Sequence, residues 1–241
     1  MNIIEISKGI ANELQGTMWI TMIIGWAELE MRYQTYQLFS LAFTNLFVIA
    51  VWSWVGMQFS TSNYNPVITC VLLMSKRITK VKAISYMIAQ FIGAFFGVVL
   101  LEMLMPVDDK SANYNRFCFG CAFIKDDYQG ITAVLAEFVS GFLLIYAYYA
   151  SVIDKRAPKD MYALFIGGAY ALCTITFGSR MTVFMNPFRY LAAAVFNNEY
   201  GYFYVYIPSV FFGAFYASWI FDRRIMVDQP KIAAQVVRFE D

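Results

Sequence analysis

Two asparagine–proline pairs, Asn65-Pro66 and Asn186-Pro187, each head an apolar run of only about ten residues, Val67 to Met74 and Phe188 to Phe196. Such a run is too short to cross roughly 30 Å of hydrocarbon as a helix. Six other runs, near 10–27, 38–59, 84–104, 131–153, 161–179 and 202–221, are long enough. Asparagine is a strong N-cap and proline is favoured at the first helical position, so each pair marks the start of a half-length helix. Non-helical backbone at membrane depth is tolerated only where it is buried in protein or lines a watery cavity. The chain is therefore restricted to an all-α integral membrane fold, with six transmembrane helices and two re-entrant half-helices.

The composition agrees, with 60% hydrophobic and 15% charged residues, a balance foreign to a soluble domain of this length. One domain over 1–241 accounts for the whole sequence, ending in a polar tail over 222–241. The first long run begins after Asn2, Glu5 and Lys8 and carries Glu13, so it is expected to persist as a helix rather than be cleaved as a signal peptide. A net charge of +1 with no basic stripe gives nucleic acid no footprint. No nucleophile–base pair supports an enzyme, and nothing calls for a cofactor or metal. Cys118 and Cys121 form a CxxC in the loop over 105–130. With no histidine and no second such pair, small buried thiols are expected there rather than a redox pair or half of a metal site.

The two parts of the chain echo each other. Ala11-Asn12-Glu13-Leu14-Gln15-Gly16 is matched by Ala136-Glu137-Phe138-Val139-Ser140-Gly141, and Glu13 precedes Asn65 by 52 positions as Glu137 precedes Asn186 by 49. The halves cover about 10–104 and 131–221. Three spans per half is an odd number, so the second half enters the membrane inverted and the half-helices meet tip to tip from opposite faces. Interrupted segments in matching places of two halves point to a transport site at the repeat interface. Lys76, Arg77, Lys80 and Lys82, then Lys155, Arg156 and Lys159, then Arg223 and Arg224 belong on one side together with both termini. The loop over 105–130 falls on the other side, near neutral, with Asp108, Asp109, Asp126 and Asp127 against Lys110, Arg116 and Lys125. No targeting signal is legible, which leaves the housing membrane open, an organellar one such as the mitochondrial inner membrane included.

In order and spacing these segments resemble the aquaporin, or major intrinsic protein, family from about Asn12 to Arg223. The resemblance rests on Asn12-Glu13-Leu14-Gln15-Gly16-Thr17, Ser62-Asn63-Tyr64-Asn65-Pro66-Val67-Ile68-Thr69, Tyr86-Met87-Ile88-Ala89-Gln90-Phe91-Ile92-Gly93-Ala94, Glu137, Met185-Asn186-Pro187-Phe188-Arg189 and Pro208. It implies the aquaporin fold, an inverted 3+3 repeat, and a passive channel for water or small neutral solutes, set in membrane lipid as a homotetramer. Asn65, Pro66, Asn186 and Pro187 would line the pore, where the facing helix ends raise a barrier to cations. Arg189 would form the outer filter with Thr174, Val183 and a residue of the second span, Asn45 by ungapped counting or Phe43 by matching Ser40-Leu41-Ala42-Phe43. Glu13 and Glu137 would accept hydrogen bonds from the re-entrant loops.

The family carries alanine after each proline, where the two helix tips touch, and this chain has Val67 and Phe188. They add roughly two and six carbons, and overpacking of this kind costs about 1–3 kcal/mol. Either the half-helices part, or Phe188 swings into the pore or toward a neighbouring span. Slow or restricted conduction is expected, with Val67 and Phe188 as the obstruction. The alternative is a non-conducting subunit of a larger membrane complex, with other membrane subunits as partners. Gly93 and Gly97, and Gly213 with Ala217, are read as close helix contacts.

Overall fold

Helix α1 runs for 30 residues, Ile3–Arg32, well beyond the apolar run over 10–27 at both ends. It begins the computed structural model, which describes residues 3–32, 37–104, 121–125 and 130–226. Helix α2 is Leu38–Gly56, the half-helix α3 is Pro66–Met74, and α4 is Lys80–Leu104. The second half repeats the order with α5 Gly130–Tyr148, α6 Tyr162–Phe177 and the half-helix α7 Pro187–Asn197. The sixth span is split into α8, Phe203–Tyr206, and α9, Pro208–Ile220. The break follows from Pro208, which lacks the N–H that would continue the ladder and whose ring crowds the preceding turn. Both α5 and α9 end in a π-helical turn, Tyr149–Ile153 and Phe221–Ile225.

Among the described residues, Leu38–Gly56, Lys80–Leu104, Gly130–Ile153 and Phe203–Ile225 are long and apolar enough to cross a membrane, and Tyr162–Phe177 is a shorter apolar helix. Pairing follows the repeat. Helix α1 packs on α4 as α5 packs on α9, while α2 and α6, equivalent under the inversion, pack on each other. Small residues set these distances: a Cβ at Gly93 or Gly97 would meet the carbonyl oxygens of Leu14 and Met18 on α1, and one at Gly213 that of Phe138 on α5.

Polarity is distributed inside out. Phe39, Phe43, Phe47, Val51 and Trp54 of α2 are exposed, as are Ile84, Ile88, Ile92 and Phe96 of α4 and Phe212, Tyr216 and Trp219 of α9. Buried between the helices lie Glu13, Thr17, Asn45, Ser60, Asn63, Asn65, Gln90, Glu137, Asn186 and Arg189. An apolar exterior around a polar core is what a hydrocarbon surround selects.

The basic clusters gather at one end. Arg77 Nη2 pairs with Asp222 Oδ1 at 2.7 Å and its guanidinium lies 5.2 Å from the centre of the Tyr149 ring, while Arg156 Nη2 reaches the Ile225 carbonyl at 3.5 Å. At the other end Ile124 bridges Met181, and the Lys125 and Thr182 amides donate to Arg180 and Phe123 carbonyls. Most of the loop over 105–130, Cys118 included, and the tail from 227 lie outside the described residues. The expectation of small buried thiols in the loop fails at Cys121, which is disulfide-bonded, while Cys173 is a free buried thiol and Cys70 is free and half-buried. Cys121 is buried in a cluster with Leu29 of α1, Ala94 and Leu101 of α4 and Ala192 of α7.

Candidate functional site

The two re-entrant loops are built alike. Tyr64 and Met185, each just before a capping asparagine, take left-handed φ values of 48° and 53°, a conformation non-glycine residues adopt only where the surroundings dictate it. For Tyr64 the surroundings are visible: its ring fills the space a Cβ would occupy on Gly16 and its hydroxyl that on Gly56, and the hydroxyl donates to the Trp52 carbonyl at 2.9 Å. Asn65 then starts α3 by accepting from the Val67 amide at 2.9 Å, and Asn186 starts α7 by accepting from Phe188 at 3.0 Å. Each side-chain oxygen thereby satisfies an amide that has no partner within its own helix.

A fully buried carboxylate supports each loop. Glu13 Oε1 accepts from Ser60 Oγ at 2.8 Å and the Asn63 amide at 2.9 Å, and Oε2 accepts from the Tyr64 amide at 2.7 Å and Gln90 Nε2 at 2.8 Å. Glu137 Oε1 accepts from the Phe184 amide at 2.9 Å. A buried charge is tolerable only when so bonded.

The half-helix tips remain locked together despite Val67 and Phe188. Asn65 Nδ2 donates to the Met185 carbonyl at 2.7 Å and Asn186 Nδ2 to the Tyr64 carbonyl at 2.8 Å, a reciprocal pair across the repeat axis. Val67 is fully buried. Phe188 is half-buried, turned toward α4, where its ring meets Phe91 edge-on with centroids 5.6 Å apart. Of the outcomes open to it, the swing toward a neighbouring span is the one adopted.

The tips face something the sequence reading passed over. Asn65 Nδ2 also donates to the hydroxyl of Tyr170 on α6, at 2.8 Å, so both amide protons of Asn65 are committed to protein. One turn further along α6, Thr174 Oγ1 accepts from Asn45 Nδ2 at 2.7 Å and donates to the Tyr170 carbonyl at 2.9 Å. The two second-span candidates are placed differently. Phe43 is 45% exposed, in a ladder between Phe39 and Phe47, because its position on α2 faces outward. Asn45 is the residue beside Thr174. Val183 is buried in the second loop.

Arg189 is buried as well, but its charge is already answered. Nη2 lies 3.2 Å from Glu28 Oε1 on α1, and the guanidinium lies 5.6 Å from the centre of the Phe184 ring. Sequence reasoning missed both Tyr170 and Glu28. Each had a periodic signal: Tyr170 stands four residues before Thr174, and Glu28 continues the buried stripe of Glu13, Thr17, Thr21 and Ile24.

Similarity to known proteins is consistent along the chain. The family profile described as "MIP: Major intrinsic protein" matches residues 2–221. A protein named "Probable aquaporin PIP2-5" from Arabidopsis thaliana is 31% identical over 163 residues, covering 66% of this chain and 54% of its own. Aquaporin PIP2-4 from Zea mays is 30% identical over 163 residues, with 66% and 54% covered. The chain thus spans about half the length of the curated relatives it matches. Among solved structures, the aquaglyceroporin from Plasmodium falciparum superposes with a TM-score of 0.78 at 18% identity, over 91% of this chain and 97% of that one.

Proposed function

Because this chain belongs to the major intrinsic protein family, we propose that it is an integral membrane channel for water or small neutral solutes whose passage is restricted at its centre by Tyr170. The observation that carries this reading is the hydrogen bond from Asn65 Nδ2 to the Tyr170 hydroxyl. In a conducting pore of this architecture the capping amides offer N–H donors to the solute. Here the phenol accepts the donor that the solute would use, so a solute must displace it and supply an equivalent bond. Asn45 Oδ1, buried and without a hydrogen bond among the described residues, is the acceptor that the filter of Asn45, Thr174, Val183 and Arg189 offers to a polar solute.

Stopped-flow swelling of proteoliposomes tests the reading. The wild-type protein is expected to exceed bare liposomes only modestly. Tyr170→Val, which removes the phenol and keeps an apolar side chain, should raise permeability by roughly tenfold, the equivalent of about 1.4 kcal/mol off the barrier. Wild-type rates equal to those of an open water channel, or no gain in Tyr170→Val, would reject Tyr170 as the restriction.

The same bond favours a second reading, a non-conducting subunit of a larger membrane assembly, since a sealed centre leaves only architecture. Isolation from native membrane without a tag separates the two: a free homotetramer supports the channel, and steady co-purification with other membrane proteins supports the subunit.

A further inference from the structure

Glu28, near the outer end of α1, and Arg189, in the first turn of α7, form a buried ion pair whose side chains are 7% and 2% exposed. One bond, Arg189 Nη2 to Glu28 Oε1, joins them. Arg189 Nε and Nη1, Glu28 Oε2 and Thr21 Oγ1, all buried, have no hydrogen-bond partner among the described residues. A cavity of about 10 Å³ lies between α1, α4 and α7, bordered by Thr21, Gly25, Phe184 and Arg189 among others. That is close to the room a single water needs. Unsatisfied buried polar groups are expensive, and a water-sized space bordered by Thr21 and Arg189, which carry three of these four atoms, calls for a hydrogen-bonding occupant.

From these observations we propose that Glu28 determines the charge selectivity of the outer filter, by holding Arg189 in a neutral ion pair that a water molecule in this cavity bridges to Thr21. The proposal rests on the channel reading only in placing Arg189 at the filter. A free guanidinium there would repel cations. A paired one contributes no net charge, which leaves cation exclusion to the opposed ends of α3 and α7. Gly25 and Ala193 border the cavity, and a Cβ at Gly25 would meet Leu101 Cδ2 at 2.7 Å.

The test compares four full-length proteins in proteoliposomes: wild type, E28Q, R189M and the double variant E28Q/R189M. Swelling reports solute passage, and a fluorescent pH indicator reports methylammonium and nitrate fluxes. The filter charge runs from +1 in E28Q through zero in wild type and the double variant to −1 in R189M. The ratio of methylammonium to nitrate flux should therefore rise in the order E28Q, then wild type and double variant together, then R189M. Each step should be at least about tenfold, as expected for a unit charge within a few ångströms. A ratio unchanged in E28Q, or a double variant that behaves like R189M, overturns the proposal.

Thermal melting of the same four proteins keeps the outcome decisive if no variant conducts. Each single substitution should lower the midpoint and the double variant should regain roughly half or more of the loss, the mark of coupled partners. Additive losses would reject the pair. A flat swelling signal with clear coupling would instead reject the channel reading and leave the pair standing.

Discussion

Phe188 shows how a bulky residue in the motif can be accommodated without parting the half-helices. Its bulk after Pro187 marks it as the obstruction in sequence, because alanine is the residue a touching helix tip accommodates. A side chain at the first turn of a helix can leave the tip by rotating about χ1, however, and here the ring rests on Phe91 of α4 while the tip-to-tip hydrogen bonds stay at 2.7 and 2.8 Å. Replacing Phe188 and Val67 together by alanine is thus expected to leave water permeability unchanged. It should still cost roughly 2–4 kcal/mol of stability for the buried and half-buried carbons removed. Swelling assays paired with melting curves check this, and a permeability gain comparable to that of Tyr170→Val would return the obstruction to Phe188. The capping roles of Asn65 and Asn186 were legible because an N-cap is local chemistry. Tyr170 was not, because a tyrosine in an apolar helix reads as core until the distant Asn65 is placed against its hydroxyl.

At the scale of elements, the half-helices and six spans were visible wherever an apolar run ended in a capping pair or a basic cluster. Their ends were less so. The extension of α1 to Ile3 and Arg32 owes nothing to hydropathy, and the π turns after Tyr148 and Ile220 leave no periodic mark. Glycine spacing carried more. Gly93 and Gly97 of α4 meet the carbonyls of α1, so Gly93→Ala forces a methyl group against the Leu14 oxygen. This should cost about 1–3 kcal/mol through overpacking. Gly168 of α6 has open space where its Cβ would be, so Gly168→Ala is expected to be neutral or to gain up to about 1 kcal/mol of helix propensity. Melting points in detergent distinguish the two, and equal effects would mean that α1 and α4 are not held together by backbone approach at Gly93.

Across the whole molecule, the two halves are joined at three levels. At mid-depth the asparagine tips exchange hydrogen bonds, at the outer end Glu28 meets Arg189, and at the basic end Arg77 meets Asp222. Inversion of the repeat was readable from three spans per half, but the two ion pairs bridge 161 and 145 positions with no local pattern to announce them. The Arg77–Asp222 pair is asymmetric in burial, with side chains 2% and 18% exposed. An uncompensated charge costs more the less water reaches it, so the two ways of breaking the pair should differ. Asp222→Asn leaves a guanidinium enclosed beside Tyr149 without that carboxylate and is expected to cost roughly 3 kcal/mol or more. Arg77→Met fills the same enclosed volume with apolar atoms and leaves a carboxylate that can turn toward water, so it should cost about 1 kcal/mol or less. Thermal unfolding of the two variants orders them, and a larger loss in Arg77→Met would show that the fold depends on the arginine's other contacts more than on its pairing with Asp222.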